Sequence, residues 1–190
     1  IILLIGDGMG PGAIRLTSLY QHKEDGRLVF QQLPVASSCT THSADKPVTD
    51  SAAAATALAC GRKTSNAMIG FTPDGARLTS LAEVASREGR AVGLITSDAI
   101  TGATPGGFYA HVDSRGSYQG VADDAALCGF DLLIGNANGK GWFLPKELKG
   151  QRTDARNLVE EMGAKGYVAV EKTAEFAAVP AEKRVVGFLD

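Results

Sequence analysis

No apolar run in the sequence approaches the roughly 20 residues of a membrane-spanning helix; the longest aliphatic stretch, Ile1 to Ile5, has the length of a strand. Basic charge is also in short supply. Nineteen Lys and Arg stand against 21 Asp and Glu, a formal net charge of −2, so nothing argues for nucleic acid or an anionic membrane as partner. Cys39, Cys60 and Cys128 are an odd set without CxxC or metal spacing, which predicts buried free thiols rather than a disulfide framework. Only His22, His42 and His111 are present, and His42, alone in a polar loop, reads as solvated rather than metal-bound. No repeat, low-complexity tract or linker interrupts the chain, and no charged leader precedes Ile1, so a signal peptide is expected to be absent or already removed. What remains is ordinary: 190 residues, 44% hydrophobic and 21% charged, enough to bury one real core in a soluble domain.

Ile1 to Ile5 reads as a central parallel strand, followed by the glycine loop Gly6 to Gly12 and a helix over Ala13 to Tyr20. Ligands gather at the carboxyl ends of strands in open α/β sheets, which puts Asp7 where chemistry usually happens. Gly8, Gly10 and Ala13 also satisfy the spacing of a dinucleotide-binding loop, with Glu24 or Asp25 near the distance of a ribose contact, so an oxidoreductase domain is the alternative reading. Two features oppose it: Asp7 would set a carboxylate beside a pyrophosphate, and Pro11 sits in the turn. A metal between Asp7 and a phosphate would remove that repulsion.

A second strand is expected at Val35 to Thr40, a helix capped by Thr79 or Ser80 through Arg87, and a third strand at Ala91 to Thr96. Pro105 suits the first turn of the next helix, with Thr104 as its cap. Farther on the pattern gives a helix at Val121 to Leu127, a strand at Phe130 to Ile134, a loop from Gly135 to Gly141 and a helix capped by Thr153 through Met162. Strands at Tyr167 to Val170 and Val185 to Leu189 follow, with a short helix near Thr173 to Ala178 between them. The alternation predicts one α/β domain, a three-layer sandwich around a mostly parallel sheet.

The most informative stretch is Val48 to Thr64, VTDSAAAATALACGRKT. Asp50 is a good N-cap, the alanines are strong helix formers and Gly61 supplies the stop, so Ser51 falls in the first helical turn. Its hydroxyl then sits where the helix dipole favours an anion. On this stretch alone, capping of a core helix is the commoner job for such residues. Arg115, likewise, suits either a fork grip on phosphate oxygens or a surface ion pair.

Val48-Thr49-Asp50-Ser51, four alanines and Thr56 resemble the nucleophile signature of the alkaline phosphatase family, and IGDGMGP at the start and ATPGGFYAHVDSR farther on agree in order. The resemblance covers the first 120 or so residues closely and implies an alkaline-phosphatase-like fold, here incomplete, with residues 1–190 as the N-terminal part of one domain. It implies hydrolysis of a phosphate monoester with Zn2+ and Mg2+ as cofactors, in the periplasm or outside the cell, and admits a homodimer of the full-length protein. By the same resemblance Ser51 is the nucleophile that becomes phosphoserine, Asp50 orients the site by pairing with Arg115, and Arg115 clamps the phosphate. Asp7, Ser51 and Thr104 are then metal ligands. Gly102 departs from the family pattern, standing where relatives often carry Asp or His near the magnesium. The remaining zinc ligands match nothing in this chain, from which weak metal binding and little turnover are expected of it alone.

Overall fold

Four short apolar segments pair in parallel to form the sheet of the molecule: β1 (Gly93–Ile95), β2 (Leu132–Asn136), β3 (Tyr167–Val170) and β4 (Arg184–Leu189), in the order β1-β2-β4-β3. In the register Leu133 stands beside Leu94 and Val186, and Ala169 beside Val186. The computed structural model describes residues 1–189. They fall into two compact units, Ile1–Thr41 and a second that begins at His42. No helix among the described residues is long and apolar enough to cross a membrane.

Because side chains alternate across a strand, β2, β3 and β4 each feed two apolar clusters, whereas β1 contributes Leu94 to one. Leu133, Val186, Phe188 and Tyr167 join the larger one, with Val121, Ala122, Ala125, Leu158 and Met162 from two helices, α5 (Tyr118–Leu127) and α6 (Leu158–Ala164). Ile134, Val170 and Val185 point the other way and meet Phe176 and Val179, from and just after the 3₁₀ segment Thr173–Ala178. Apolar packing on both faces explains why these strands read as continuous aliphatic runs rather than alternating ones.

The second unit also holds α2 (Ser51–Cys60), α3 (Leu81–Arg87) and α4 (Ala103–Gly106). α3 begins as expected: Ser80 accepts from Glu83 N, and Glu83 reaches back to Ser80 N at 2.8 Å. Other boundaries differ. Thr153 caps no helix; Asn157 does so for α6, accepting from Glu160 N. Most of the expected loop Gly135 to Gly141 belongs to a 3₁₀ segment, Ala137–Phe143, opened by Asn136, which accepts from Asn138 N.

In the first unit α1 (Pro11–His22) starts with Pro11 at its first position and ends at Lys23, left-handed at φ 60°. Its anchor is buried Ser18, which donates to Glu24 O and accepts from Arg27 N. Ile1 to Ile5 and Val35 to Thr40 form no strand. Sequence pattern marks an apolar run as strand-competent, but a strand needs a ladder partner, and the first unit holds none. Cys39 is exposed, contrary to expectation, whereas Cys60 and Cys128 are half-buried free thiols whose pKa burial pushes up to about 11.

Among the described residues the one fully buried charged side chain is Arg152. It donates from Nε and Nη2 to both oxygens of Asp154 at 2.7 Å, from Nη2 to Asp123 at 2.9 Å and from Nη1 to Trp142 O at 3.2 Å. Each guanidinium nitrogen therefore donates at least once, which is what makes the burial tolerable. The Arg152 guanidinium holds the Asp154 carboxyl below the ordinary carboxylate value. A folded-state value lowered in this way contributes stability above the ordinary carboxylate range, lost as pH falls through the folded value. Arg152→Met is expected to cost about 3 kcal/mol in urea denaturation at neutral pH, and to flatten the loss of stability between about pH 5 and pH 3.

Candidate active site

Asp50 is where the second unit converges. It sits in extended backbone at the start of α2 and accepts from Ala53 N through Oδ1 at 3.0 Å, the capping bond expected of it. Oδ2 accepts from Ala67 N at 3.0 Å and from Arg115 Nη1 at 3.3 Å. Asp50 N donates to Asn66 Oδ1, Asn66 Nδ2 to Val48 O, and Asn66 N to Asp45 Oδ1. Arg115 N donates to Ala67 O at 2.7 Å. One carboxylate thus ties a helix start, the turn 65–67 and an arginine from 65 positions away.

Ala67 has φ 70°, a left-handed conformation that costs a residue with a Cβ of order 1 kcal/mol, and its N–H and C=O are both held by this cluster. The Arg115–Asp50 pair leaves 41% of the arginine side chain and 23% of the aspartate exposed. Such a pair contributes only about 0.2–1 kcal/mol to stability, so its consequence is position: it fixes where a half-exposed guanidinium points.

Ser51 is the first residue of α2 and is half-buried. The alanines behind it do more than favour helix. Ala52, Ala53, Ala55 and Ala59 are buried, and a Cβ added to Gly107 would fall 2.7 Å from Ala55 Cβ, so α4 and its end lie against α2 at a distance only small residues permit. Thr56, in the same helix, accepts from Gly70 N at 3.1 Å. Gly61 closes the helix at φ 67°, as its position predicts.

Thr104 lies within α4, one residue past its start, and the N-cap is Gly102, so the expected capping role of Thr104 is not the one it has. The cap lies three residues before Pro105, which occupies the third helical position, still within the first turn. Gly102 is explained by its neighbour: a Cβ there would meet Asp98 Oδ2 at 2.4 Å and Ala99 O at 2.9 Å. The carboxylate of Asp98, held by Ala99 N at 2.7 Å, fills the space that an Asp or His side chain at 102 would need. Asp7 belongs to the first unit, in the turn closed by Gly8 at φ 65° with Gly10 N donating to Gly8 O.

His111 is engaged in structural contacts: its Nε2 lies 2.8 Å from Leu78 O and its backbone N donates to Asp124. Among the described residues no three His, Cys, Asp or Glu side chains cluster closely enough to hold a metal ion. A catalytic zinc takes about three protein ligands, so these residues do not build a zinc centre by themselves. Sequence reasoning also missed Asn66 and Ala67, whose polar and methyl side chains carry no signal of their role, and Asp98, whose significance depends on the missing side chain at Gly102.

Ser51 opens a helix whose cap, Asp50, also pairs with Arg115, in a unit built on a parallel sheet. Residues 1–189 match the family model described as alkaline phosphatase, and the chain belongs to that family. Alkaline phosphatase 3 of Bacillus subtilis is 36% identical over 185 residues, covering 90% of this chain and 37% of its own. Streptomycin-6-phosphate phosphatase of Streptomyces griseus is 34% identical over 210 residues, covering 98% and 46%. The structure of alkaline phosphatase from the Antarctic bacterium TAB5 aligns with a TM-score of 0.79 at 28% identity, over 93% of this chain and 49% of that one; a variant of it was solved with Mg bound in the M3 site. The chain therefore spans less than half the length of these relatives. The dinucleotide alternative at Gly8, Gly10 and Ala13 finds no support, since no strand leads into that loop and the family is one of phosphatases.

Asp50→Ala removes a cap and strands Ala67 N–H, and is expected to cost about 2 kcal/mol; Asp50→Asn keeps the capping oxygen but sets an amide N–H against Ala67 N–H, so it should recover no more than the cap, about 1 kcal/mol, both read by thermal or urea melts. Gly102→Asp should cost about 1–3 kcal/mol by overpacking, and Asp98→Ala in the same chain should recover most of it.

Proposed function

We propose that this chain is the N-terminal portion of a phosphomonoesterase in which Ser51 is the nucleophile and Arg115, aimed by Asp50, grips the phosphoryl oxygens. The observation that carries this reading is the Asp50 carboxylate, which joins the helix start bearing Ser51 to the guanidinium of Arg115. Membership of the alkaline phosphatase family supports it. In the reaction, Ser51 Oγ forms a bond to phosphorus as the bond from phosphorus to the ester oxygen breaks. The departing alcohol takes the electron pair and, through solvent, the serine proton. Water then attacks the phosphoserine, releasing phosphate and restoring the hydroxyl.

Phosphoryl transfer asks a protein mainly for position and opposing charge. A planar guanidinium with paired N–H groups meets two phosphoryl oxygens at once, and the dipole of α2 adds partial positive charge at Ser51. Asp7, Ser51 and Thr104 are this chain's proposed share of the ligands for zinc and magnesium, the rest coming from outside it. Both units are read as parts of one domain. The proposed compartment is the periplasm or the cell exterior, with a homodimer as the assembled form.

The test is hydrolysis of p-nitrophenyl phosphate by a protein extended beyond residue 190 to the length of its relatives, with zinc and magnesium supplied. Ser51→Ala is expected to lower kcat by about 10³-fold or more, and unchanged turnover would remove Ser51 as nucleophile. Arg115→Ala should weaken inhibition by inorganic phosphate by about tenfold or more, the loss of charge-assisted hydrogen bonds. The 190-residue chain alone should hold less than one zinc per molecule by elemental analysis; a full zinc complement would contradict the ligand assignment.

A further inference from the structure

The chain enters α2 through Val48, Thr49 and Asp50, and one side chain from outside the helix sets its course. Asn66 Oδ1 accepts from Asp50 N at 3.1 Å, and Asn66 Nδ2 donates to Val48 O at 3.0 Å. In an extended segment the C=O of one residue and the N–H of the residue two places on share an edge, so a single carboxamide meets both as a neighbouring strand would. The partners also fix which way the amide faces, because a backbone N–H only donates and a backbone carbonyl only accepts. Asp50 itself is extended, at φ −100° and ψ 175°.

The rest of the approach lies in solvent. Residues 44–48 are exposed, Val48 at 76%, and Pro47 has no N–H to give. On the other side Asp50 O already belongs to the helix, accepting from Ala54 N at 3.0 Å. Asn66 therefore holds the last peptide groups before the helix, one residue ahead of Ser51. Its own backbone is anchored: Asn66 N donates to Asp45 Oδ1 at 2.8 Å, and that oxygen also accepts from buried Ser43 at 3.0 Å.

The Ala67 turn is closed by Asp50 and Arg115 through the backbone of Ala67, without the Asn66 side chain. The work is thus divided: the Asp50 carboxylate aims Arg115, and the Asn66 carboxamide sets the entry into α2. We infer that Asn66 is a positioning residue for Ser51, acting on the phosphoryl-transfer step and not on phosphate binding. The inference rests on Ser51 being the nucleophile. Ser51 is in the first turn, so its Oγ follows the backbone at 48–50, and misplacing a reacting atom by about 1 Å costs about 100-fold in rate. The residue type is specific, since an aspartate of the same size brings only acceptors and would turn one toward Val48 O.

Two preparations test this. In the 190-residue chain, amide exchange followed by NMR reads the restraint itself. Asn66→Ala is expected to speed exchange at Asp50 N–H about tenfold or more, while the amides of Ala53 and Arg115, bound elsewhere, change less than about threefold. In the protein extended to the length of its relatives, with zinc and magnesium supplied, the first-turnover release of p-nitrophenol from p-nitrophenyl phosphate reads the chemical step. Its rate constant is expected to fall about tenfold or more in both Asn66→Ala and Asn66→Asp, with inhibition by inorganic phosphate changed less than about threefold. Unaltered exchange at Asp50, a first-turnover rate within about threefold of the parent, or a loss of phosphate inhibition that matches the loss of rate would each overturn the positioning role. Ser51→Ala, measured alongside, separates the two failures. If it is inactive while the Asn66 variants turn over normally, only the role of Asn66 falls; if it is active, the nucleophile reading falls and this inference with it.

Discussion

The second unit depends on one carboxylate that accepts three hydrogen bonds from three parts of the chain. Asp50 caps α2, closes the turn at Ala67 and pairs with Arg115. None of these contacts is strong alone: a cap contributes about 1 kcal/mol and a half-exposed ion pair less. Their joint effect is geometric. The left-handed Ala67 persists because both its backbone groups are engaged, and Arg115, whose own N–H completes that turn, is held at both its backbone and its side chain.

Small residues do the complementary work. α2 carries methyl groups where most helices carry bulk, and Gly107 lies where any side chain would strike Ala55. That close approach sets α4, and with it Thr104, against the helix that starts at Ser51. The same economy explains Gly102, where absence of a side chain gives room to Asp98 and lets the loop after β1 turn tightly toward the end of β2. Asp98 thus occupies the space beside Gly102 that a side chain there would need.

What the sequence disclosed follows from what is local. The start and stop of α2 were legible because caps are set by one or two residues, Asp50 and Gly61, and α3 because Ser80 and Glu83 make a reciprocal pair. The strands of the sheet were legible as aliphatic runs, within two residues of their ends. Ile1 to Ile5 has the same composition and forms no strand, since pairing depends on a partner that composition does not reveal. The Asp50–Arg115 pair was visible only through family resemblance; spacing of 65 residues carries no signal. Asn66 and Asp98 were invisible for the same reason: each matters through contacts that span loops, and nothing in its neighbours announces them.

The central claim is that Asp50 serves phosphate binding by aiming Arg115, and a double-mutant cycle on phosphate affinity tests it most directly. Calorimetric titration with inorganic phosphate would compare the parent chain, Asp50→Asn, Arg115→Ala and the double variant. The account predicts that Asp50→Asn weakens phosphate binding several-fold in the parent chain and has no further effect once Arg115 is gone. Equal losses from Asp50→Asn with and without Arg115 would show two independent sites of action and contradict it.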